Sequence, residues 1–396
     1  MVVFDPYNWQ THEDPYPVYR RLRDEAPVYH NETLDFWALS RYADVLAAFR
    51  DPVRLSSAQG VALERDQLPD ASAVMSFLGM DPPRHDHVRA LVNRGFTPRR
   101  VQAMEPHIRA LAKRYIDRFV EEGSCDFIQD FAGRLPMDVI SEMVGVPPED
   151  RDTLRGWADT VVHREEGRPE VPAAGLEAAA NILNYFASYV DERRARPVDD
   201  LAGALIAAEL EGDRLSDKDI IAFLFLMIIA GNETTTKLLG NAIYWLWRNL
   251  DQREKVRSDP GRIPAWVEET LRYDASSQLI ARTTTCDVEI RGRSIPGNAR
   301  VALLIGSANR DEREFPNADL FDVTREQRQS LAFGQGTHFC LGASLARLEG
   351  RVALEEVQAR LPDFEIRPEG LVRIHSSNVR GFAALPIEFG SGTARA

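Results

Sequence analysis

The chain has 396 residues, of which 61 are acidic, 48 are basic and three are cysteine, and its formal net charge is −13. A chain of this length buries about three quarters of its unfolded surface, so it needs neither disulfides nor a structural metal ion to hold a core. The acidic balance and the lack of a long Lys/Arg run argue against a nucleic-acid partner. Three scattered cysteines, no visible secretory leader and no apolar run near about 18 residues predict a cytoplasmic protein without membrane contact.

No low-complexity linker or repeat divides the sequence, so we expect residues 1–396 to form a single domain. Apolar residues at three- and four-residue spacing predict a mainly α fold. The predicted helices span residues 17–25, 41–49, 83–94, 98–122, 135–144, 177–194, 217–249 and 343–360. A minor β-sheet region is predicted at residues 28–30, 36–39, 288–290, 300–304 and 364–366, the first two as a hairpin.

Two stretches lack periodicity. Residues 51–81 form a longer connection than the usual 4–6 residues or so, which is typical of a functional lid. Residues 167–175 carry two prolines between helical patterns. They are interpreted either as a mobile hinge or as an ordinary solvated loop.

The longest predicted helix begins at a capping box, Ser216 to Asp219, and continues without proline to about Asn249. Its first half is apolar on every face, so it must pass through the core. Polar residues 231–236 then interrupt this apolar run. Either the threonines bond back to the preceding turn, or the glycine, carboxylate and hydroxyls form a site for a small ligand and proton transfer.

The most informative stretch is FGQGTHFCLG at residues 333–342. Its glycines allow positive φ and a close approach of the backbone to a ligand. A helical pattern follows Cys340 directly, and a helix N-terminus favours a thiolate. Cys125 and Cys286 are interpreted as small buried apolar residues, the usual role of a lone cysteine.

This stretch resembles the haem-ligand loop of the cytochrome P-450 family, in which a cysteine thiolate is the proximal ligand of haem iron. Three further motifs are similar to family motifs and stand in family order. They are the oxygen-activation segment 230–234, the Glu-x-x-Arg helix with Glu269 and Arg272, and the haem-propionate segment 81–85 with Arg89. The resemblance implies a single-domain P-450-like fold around a buried haem b (iron protoporphyrin IX).

The resemblance also implies individual roles. Cys340 would bind the iron, with Phe333 packed beside the thiolate. Glu233 and Thr234 would lie over the distal face, where the hydroxyl would stabilise bound dioxygen and the acid would relay protons. His85, Arg89, Arg282 and His338 would hold the propionates, although His85 and Arg89 alone would fit a solvated helix face. The implied haem contacts are His85, Arg89, Ala230, Arg282, Phe333, Gly334, His338, Cys340 and Gly342.

Other positions follow by analogy only. The implied substrate pocket, for which plain core packing is the alternative, comprises Leu226, Ile229, Leu279, Ile280, Asn378 and Val379, with Ala230 beside them. Residues 56–80 and 164–180 would roof it. Glu269 and Arg272 would pair near the proximal side; Leu320 occupies the position of the family's third partner, and Arg325 is the candidate substitute.

The implied function is a haem-thiolate monooxygenase that inserts one oxygen atom from O2 into a hydrophobic small molecule. Electrons would come from NAD(P)H through ferredoxin reductase and ferredoxin, and a basic face formed by Arg99, Arg100, Arg347 and Arg351 would attract an acidic ferredoxin. The alternatives are a peroxide-driven or nitric-oxide-reducing haem-thiolate enzyme and a non-enzymatic haem sensor. The intact Glu233–Thr234 pair favours the monooxygenase.

Overall fold

A computed structural model describes residues 2–64, 71–168, 170–198, 200–210, 213–326 and 328–390. The α-helices are α1 Trp9–Glu13, α2 Tyr16–Glu25, α3 Tyr42–Phe49, α4 Ser72–Met75, α5 Arg84–Asn93, α6 Pro98–Ala103, α7 Glu105–Ile116, α8 Leu135–Val144, α9 Pro148–Val162, α10 Ala173–Ala195, α11 Leu201–Ala207, α12 Asp217–Arg248, α13 Leu250–Ser258, α14 Ile263–Tyr273, α15 Ile305–Ala308 and α16 Ala343–Arg360. A π-helix spans Ile128–Ala132, and 3-10 turns span Ser76–Gly79, Arg94–Phe96, Pro260–Arg262 and Gly336–His338.

The strands are short. They are β1 Val28–Asn31, β2 Phe36–Leu39, β3 Leu55–Ser56, β4 Ser124–Asp126, β5 Glu209–Leu210, β6 Asp213–Arg214, β7 Leu279–Thr284, β8 Val288–Ile290, β9 Arg293–Ile295, β10 Arg300–Leu304, β11 Glu365–Ile366, β12 Val372–Arg373, β13 Phe382–Ala384 and β14 Pro386–Glu388. The main sheet has the order β1-β2-β10-β7-β3, in which only β2 and β10 run parallel. The mainly α fold with a minor sheet is confirmed.

Most predicted elements are present with small boundary changes. The hairpin of β1 and β2 is confirmed, and α8 and α16 have the predicted bounds. The prediction of one helix over residues 98–122 is wrong, because the chain forms α6 and then α7, which ends at Ile116. Pro106 lies in the first turn of α7, where its missing N–H is tolerated, and it would break a helix that ran through it.

The helix α12 crosses the centre of the molecule. Ser216 and Asp219 form the predicted capping box at its start, and it packs against α8, α9 and α10 as well as α14 and α16. Among the described residues it is the one helix long and apolar enough to cross a membrane, but 61% of its most apolar window is buried inside the protein. Each fully buried Leu, Ile or Phe contributes about 1.5–3 kcal/mol, so this helix organises the main core.

The N-terminal helices are tied to the rest of the molecule by a buried carboxylate, Asp274, directly after α14. It accepts hydrogen bonds from the Tyr16 hydroxyl at 2.6 Å, Trp245 Nε1 at 2.7 Å and Arg380 Nε at 2.8 Å. Arg373 Nη1 lies 3.8 Å away. This group joins α2, α12 and the C-terminal loop around one charge.

Candidate active site

The loop before α16 holds its cysteine in a fixed backbone frame. The Cys340 N–H donates to the Phe333 carbonyl at 2.9 Å. Gly334 and Gly336 have φ of 66° and 70°, and a Cβ at Gly336 would lie 2.6 Å from the Phe49 carbonyl oxygen. Gly342 differs from the expectation of positive φ: its φ is −83°, and a Cβ there would meet no protein atom within 4 Å. Gly342 therefore borders open space beside the sulfur.

The Cys340 sulfur lies in an environment of opposing influences. Burial raises the pKa of the thiol, while the N–H groups of Gly342 and Ala343 and the charges of Arg89 and Arg347 act in the other direction. Burial has the largest effect, so the helix N-terminus alone does not lower the pKa of the thiol. A metal cation bound at the sulfur would do so, because a coordinating thiol is deprotonated outright.

The other two cysteines are as follows. Cys125 is half-buried, and burial raises the pKa of its thiol, in keeping with an inert apolar role. The expectation of burial is wrong for Cys286, which is exposed. Cys286 is exposed because it lies in the turn between β7 and β8, where side chains face water.

Helix α5 meets the cysteine loop through two histidines. The rings of His85 and His338 lie 4.2 Å apart between centroids. Arg89, one turn after His85, donates from Nη2 to the Phe339 carbonyl at 2.5 Å. Phe77 links this group to α12, since its ring contacts His85 at 5.8 Å and Phe223 at 6.2 Å between centroids.

Three polar atoms in this group have no hydrogen-bond partner although they are buried: His85 Nε2, Arg89 Nη1 and His338 Nδ1. Burial, with the nearby charge of Arg282, lowers the pKa of His338 to about 3, so the ring is neutral. Buried donors without partners are costly, at about 1–3 kcal/mol each, and carboxylates satisfy them well. The set therefore fits the propionates of a haem.

Arg282 comes from β7 and is fully buried, 2% exposed. Burial lowers the pKa of its guanidinium to about 10, and the charge of Asp81 opposes this effect. Asp81 itself accepts from Ser56 Oγ at 2.5 Å and from the Ser57 N–H at 2.8 Å. A buried cation in this position again suits a carboxylate ligand.

A stripe of α12 is accessible although the helix runs through the core. Leu226, Ile229 and Thr234 are only partly buried and Ala230 is exposed, whereas Phe223, Ile228 and Glu233 are buried. These accessible positions recur at three- and four-residue spacing, so they share one face. That face borders internal space, as the distal side of a cofactor and substrate cavity requires.

The acid and the alcohol of α12 point to different surroundings. Thr234 Oγ1 donates to the Ala230 carbonyl at 2.7 Å on the accessible face. The Glu233 carboxylate, 1% exposed, lies 3.3 Å from Lys237 Nζ through Oε2 and accepts from Asn232 Nδ2 at 3.4 Å. Sequence reasoning missed Lys237, although its position four residues after Glu233 on one helix is a recognisable signal.

The Glu-x-x-Arg helix is α14. Arg272 donates to both oxygens of Glu269, at 2.8 and 2.7 Å, and to the carbonyls of Ala318 and Leu320. Arg325 Nε lies 3.3 Å from Glu269 Oε1, so it supplies the third partner as expected. Leu320 contributes its carbonyl and leaves its side chain exposed.

The residues predicted to line the substrate pocket lie in two different parts of the fold. Ile280 shares a face of β7 with Arg282, because side chains alternate along a strand. The prediction for Leu279 is wrong: it points to the opposite face and packs in the N-terminal core with Phe4 and Tyr19. Val379 is buried and lines a small cleft together with the same N-terminal residues. Asn378 beside it is half-buried, and its carbonyl accepts from the Gln278 N–H at 2.8 Å.

The segments predicted to roof the pocket are joined to each other. Arg164, after α9, lies 3.5 Å from Glu64 through Nε and Oε1, and both side chains are 9% exposed. Ser377 Oγ donates to the same Glu64 oxygen at 3.0 Å. Residues 65–70 of the first segment lie outside the described residues, and the second segment ends within α10.

No group of three or more His, Cys, Asp and Glu side chains that could hold a metal ion occurs within the described ranges. A single sulfur ligand with four donors for carboxylates is the arrangement that haem needs. When bound, thiolate-ligated haem supplies oxygen activation, because the sulfur donates electron density to the iron and favours O–O cleavage. The residues of this chain fit the group.

Comparison with known proteins agrees with this site. A family model described as cytochrome P450 matches residues 176–385, more than half of the chain. The Mycobacterium tuberculosis protein named cytochrome P450 123 is 53% identical over 388 residues, which cover 98% of this chain and 96% of that protein. Vitamin D(3) 25-hydroxylase of Pseudonocardia autotrophica is 39% identical over 99% of this chain and 97% of its own length.

Solved structures have the same architecture. CYP109E1 from Bacillus megaterium, in complex with testosterone, has a TM-score of 0.90 and 32% identity, covering 96% of this chain and 99% of that one. CYP109Q5 from Chondromyces apiculatus has a TM-score of 0.89 and 35% identity, covering 99% and 100%. The chain therefore belongs to the cytochrome P450 family and is a haem-thiolate monooxygenase that binds haem b.

Proposed function

We propose that this P450 hydroxylates a hydrophobic small molecule with O2 in the cytoplasm, using electrons from NAD(P)H that a ferredoxin reductase and a ferredoxin deliver. The accessible apolar stripe of α12 supports a hydrophobic substrate, because Leu226, Ile229 and Ala230 offer no charge to a ligand. Ile280 adds an apolar side chain from β7. Cavities lined in this way bind largely apolar ligands.

The names of similar proteins support this class. One curated relative is a vitamin D(3) 25-hydroxylase, and another is a polyketide biosynthesis P450 of Bacillus subtilis. CYP109E1 has been solved with testosterone and with corticosterone. These ligands are apolar and polycyclic or long-chained, so a steroid-sized molecule is the first class to test here.

In this proposal each site residue has one task. Cys340 binds the iron, while His85, Arg89, Arg282 and His338 hold the propionates. Phe333 packs beside the thiolate, and the small residues Gly334, Gly342 and Ala230 allow the flat group to approach the backbone closely. Glu233 supplies protons from the buried side of α12, and Thr234 presents its hydroxyl at the accessible face, 2.7 Å from the Ala230 carbonyl.

The roof of the cavity is part of the proposal. Glu64 joins residues 56–64, the segment after α9 and the C-terminal loop through Arg164 and Ser377. The Arg164 N–H also donates to the His375 carbonyl at 3.0 Å. Opening these contacts would admit substrate, and closing them would exclude water from the reaction.

The substrate class is tested by titrating the haem-loaded protein with testosterone, corticosterone and vitamin D3 and recording the spin-state change of the haem. We expect at least one compound to bind and then to give a hydroxylated product with NAD(P)H, ferredoxin and reductase. No response from any apolar compound would contradict the substrate class. Product with peroxide but none with the electron chain would favour the peroxide-driven alternative.

The docking face is less basic than the sequence predicts. Arg347 pairs with Glu268 at 2.5 Å, and Arg351 pairs with Glu105 at 2.6 Å and with Glu355 at 2.9 Å. These carboxylates neutralise much of the charge. The exposed Phe339 and a cleft of about 260 Å³ lined by Phe333 and Arg347, among others, lie beside the cysteine loop and add an apolar contact for a ferredoxin.

Charge reversal tests whether a ferredoxin docks on this face. Arg100→Glu and Arg347→Glu are expected to slow the first reduction by ferredoxin, and more strongly at low salt, because long-range attraction is screened at high salt. Arg21→Glu on α2 is the control, since Arg21 is exposed and pairs only locally with Glu25. Equal rates for all three variants would remove the ferredoxin site from this face.

A further inference from the structure

An exposed carboxylate lies against the buried histidine of α5. Asp86 Oδ1 is 2.8 Å from His85 Nδ1, and the Asp86 side chain is 59% exposed whereas that of His85 is 1% exposed. An ionised aspartate can only accept hydrogen bonds, so His85 Nδ1 must carry the hydrogen of this bond. The contact with Asp86 therefore fixes the place of one ring proton of His85.

The other ring nitrogen of His85 has no partner among the described residues. Nε2 is buried and makes no hydrogen bond. A neutral imidazole has one N–H group, and the bond to Asp86 uses it, so Nε2 of a neutral ring would present a lone pair. A lone pair repels a carboxylate. His85 can therefore donate to a haem propionate only when both of its nitrogens carry hydrogen.

The orientation of the His85 ring is fixed by its neighbours. The Phe77 ring packs edge-on against it, at 5.8 Å between centroids and an angle of 68°. The His338 ring lies 4.2 Å away on the side of the cysteine loop. Turning the His85 ring over would break the 2.8 Å bond from Nδ1 to Asp86. Nε2 therefore remains the nitrogen that is available to a propionate.

The charged groups on α5 leave Asp86 to His85. Asp86 is the one acidic residue of this helix. Arg84 pairs instead with Asp219 at the start of α12, at 3.1 Å. His87 is two residues from His85, and residues at this spacing do not face each other on a helix. The negative charge of Asp86 thus acts on the His85 ring, and a nearby negative charge favours the protonated form of a histidine.

The groups on other elements favour the same form of the ring. With haem bound, four negative groups meet here: the two propionates, the carboxylate of α5 and Asp81, whose charge acts on Arg282. The other residues supply two cations, Arg89 and Arg282, while His338 is neutral. A neutral His85 would leave two negative charges in excess, and a protonated His85 leaves one. Excess charge is costly where water is excluded, so the protonated ring is favoured.

We propose that Asp86 is a positioning residue that keeps His85 protonated on both nitrogens, so that His85 Nε2 donates a charge-assisted hydrogen bond to a haem propionate. The proposal rests on the proposed role of His85 in propionate binding. The two histidines then act differently, His85 as a cation and His338 as a neutral donor. No electrons move and no bond between heavy atoms changes.

The first test measures the protonation of His85 directly and needs no turnover. The sample is the haem-loaded ferrous protein with CO and 15N-labelled histidine, and the spectrum of His85→Phe identifies the His85 signals. At about pH 7.5, where an ordinary histidine is neutral, wild type should show hydrogen on both ring nitrogens of His85. In Asp86→Asn the ring should be neutral, because the amide accepts the hydrogen bond without a charge. A neutral His85 in wild type would overturn the proposal.

The second test measures how firmly the protein holds its haem. At about pH 7.5 the rate of haem transfer to apomyoglobin should rise about tenfold in Asp86→Asn, as expected for the loss of one charge-assisted hydrogen bond. The difference from wild type should vanish at about pH 5.5, where an ordinary histidine is protonated without help. A purely structural role of Asp86 predicts no such pH dependence, because asparagine keeps the shape and the hydrogen bond.

The matched control is Asp35→Asn, which removes the charge from another histidine–aspartate pair. Asp35 Oδ1 lies 3.9 Å from His30 Nε2, and the Asp35 side chain is 85% exposed. This variant should keep the His85 signals and the transfer rate of wild type. If His85→Phe leaves the transfer rate unchanged, the proposed role of His85 fails. If His85→Phe raises the rate and Asp86→Asn does not, the inference about Asp86 alone is wrong.

Discussion

Asp274 shows what one buried charge contributes to this molecule. Its carboxylate is hydrogen-bonded to Tyr16, Trp245 and Arg380 and is fully buried. Breaking a buried ion pair from one side leaves the other charge unpaired and costs about 3–5 kcal/mol. Asp274 therefore stabilises the attachment of α2 and the C-terminal loop to the core.

We expect Asp274→Asn to lower the free energy of unfolding by about 3–5 kcal/mol, measured by urea denaturation of the haem-loaded protein. Asp363→Asn is the control, because Asp363 is 69% exposed in its pair with Arg257. An exposed pair contributes at most about 1 kcal/mol, so the control should change little. Equal effects of the two substitutions would contradict the assigned role of Asp274.

The same carboxylate predicts a pH dependence. Burial alone would raise the pKa of Asp274, but the charges of Arg380 and Arg373 and the bond from Tyr16 hold it below its ordinary value. Its contribution is therefore complete above about pH 4 and is lost as the pH falls below that value. Unfolding measured from neutral to acid pH should show a smaller acid loss in Asp274→Asn than in wild type.

Single residues also mark the limit of sequence reasoning. Cys340, His85, Arg89 and His338 are predictable because their motifs lie on one helix or one loop. The sequence predicts Arg325 only as a candidate for the third partner of the Glu269–Arg272 pair. Its contact with Glu269 depends on the path of an irregular segment. The pair of Arg164 and Glu64 depends on how the segment after α9 meets a distant loop, and no spacing in the sequence indicates that contact.

At the scale of elements, the helix α12 determines how closely its neighbours approach. Gly240 lets the π-helix Ile128–Ala132 and β13 pack against it, and a Cβ there would lie 2.8 Å from Ile128 Cδ1. Gly156 on α9 faces solvent, and a Cβ there would meet no atom within 4 Å. The two glycines therefore have opposite consequences when replaced.

Gly240→Ala should destabilise the protein by up to about 2 kcal/mol, because displacing the tip of the buried Ile128 side chain costs more than the roughly 1 kcal/mol that alanine gains in a helix. Gly156→Ala should instead stabilise it by up to about 1 kcal/mol, because alanine favours the helix. Urea denaturation of the two variants and of wild type measures both effects. Destabilisation by both substitutions to the same extent would show that packing at α12 is not the cause.

Elements with a regular spacing of apolar residues were predictable from the sequence, and elements that depend on long-range contacts were not. The repeat of α16 and the capping box of α12 fix their bounds locally. The break between α6 and α7 depends on Pro106. The spacing of apolar residues alone does not indicate this break. The separation of Leu279 from Ile280 follows from strand alternation, but only once β7 is known to lie between β10 and β3.

At the scale of the whole molecule, the buried pair of Arg164 and Glu64 joins segments that are distant in the chain. Glu64→Gln removes the charge, so the segments should open more often. Hydrogen exchange of residues 161–168 should accelerate by at least about tenfold, which corresponds to about 1.4 kcal/mol. Glu165→Gln, which removes an exposed partner of Arg168, should leave exchange unchanged. Equal exchange in both variants would contradict the proposed closure.

The central claim is that Cys340 is the thiolate ligand of haem iron, within a frame built from α5, β7 and α16. The most direct measurement is the absorption spectrum of the haem-loaded protein after reduction and treatment with CO. We expect the red-shifted Soret band of a thiolate haem in wild type, and its loss in Cys340→His with haem still bound. A haem-loaded, natively folded wild-type protein without this band would contradict the account.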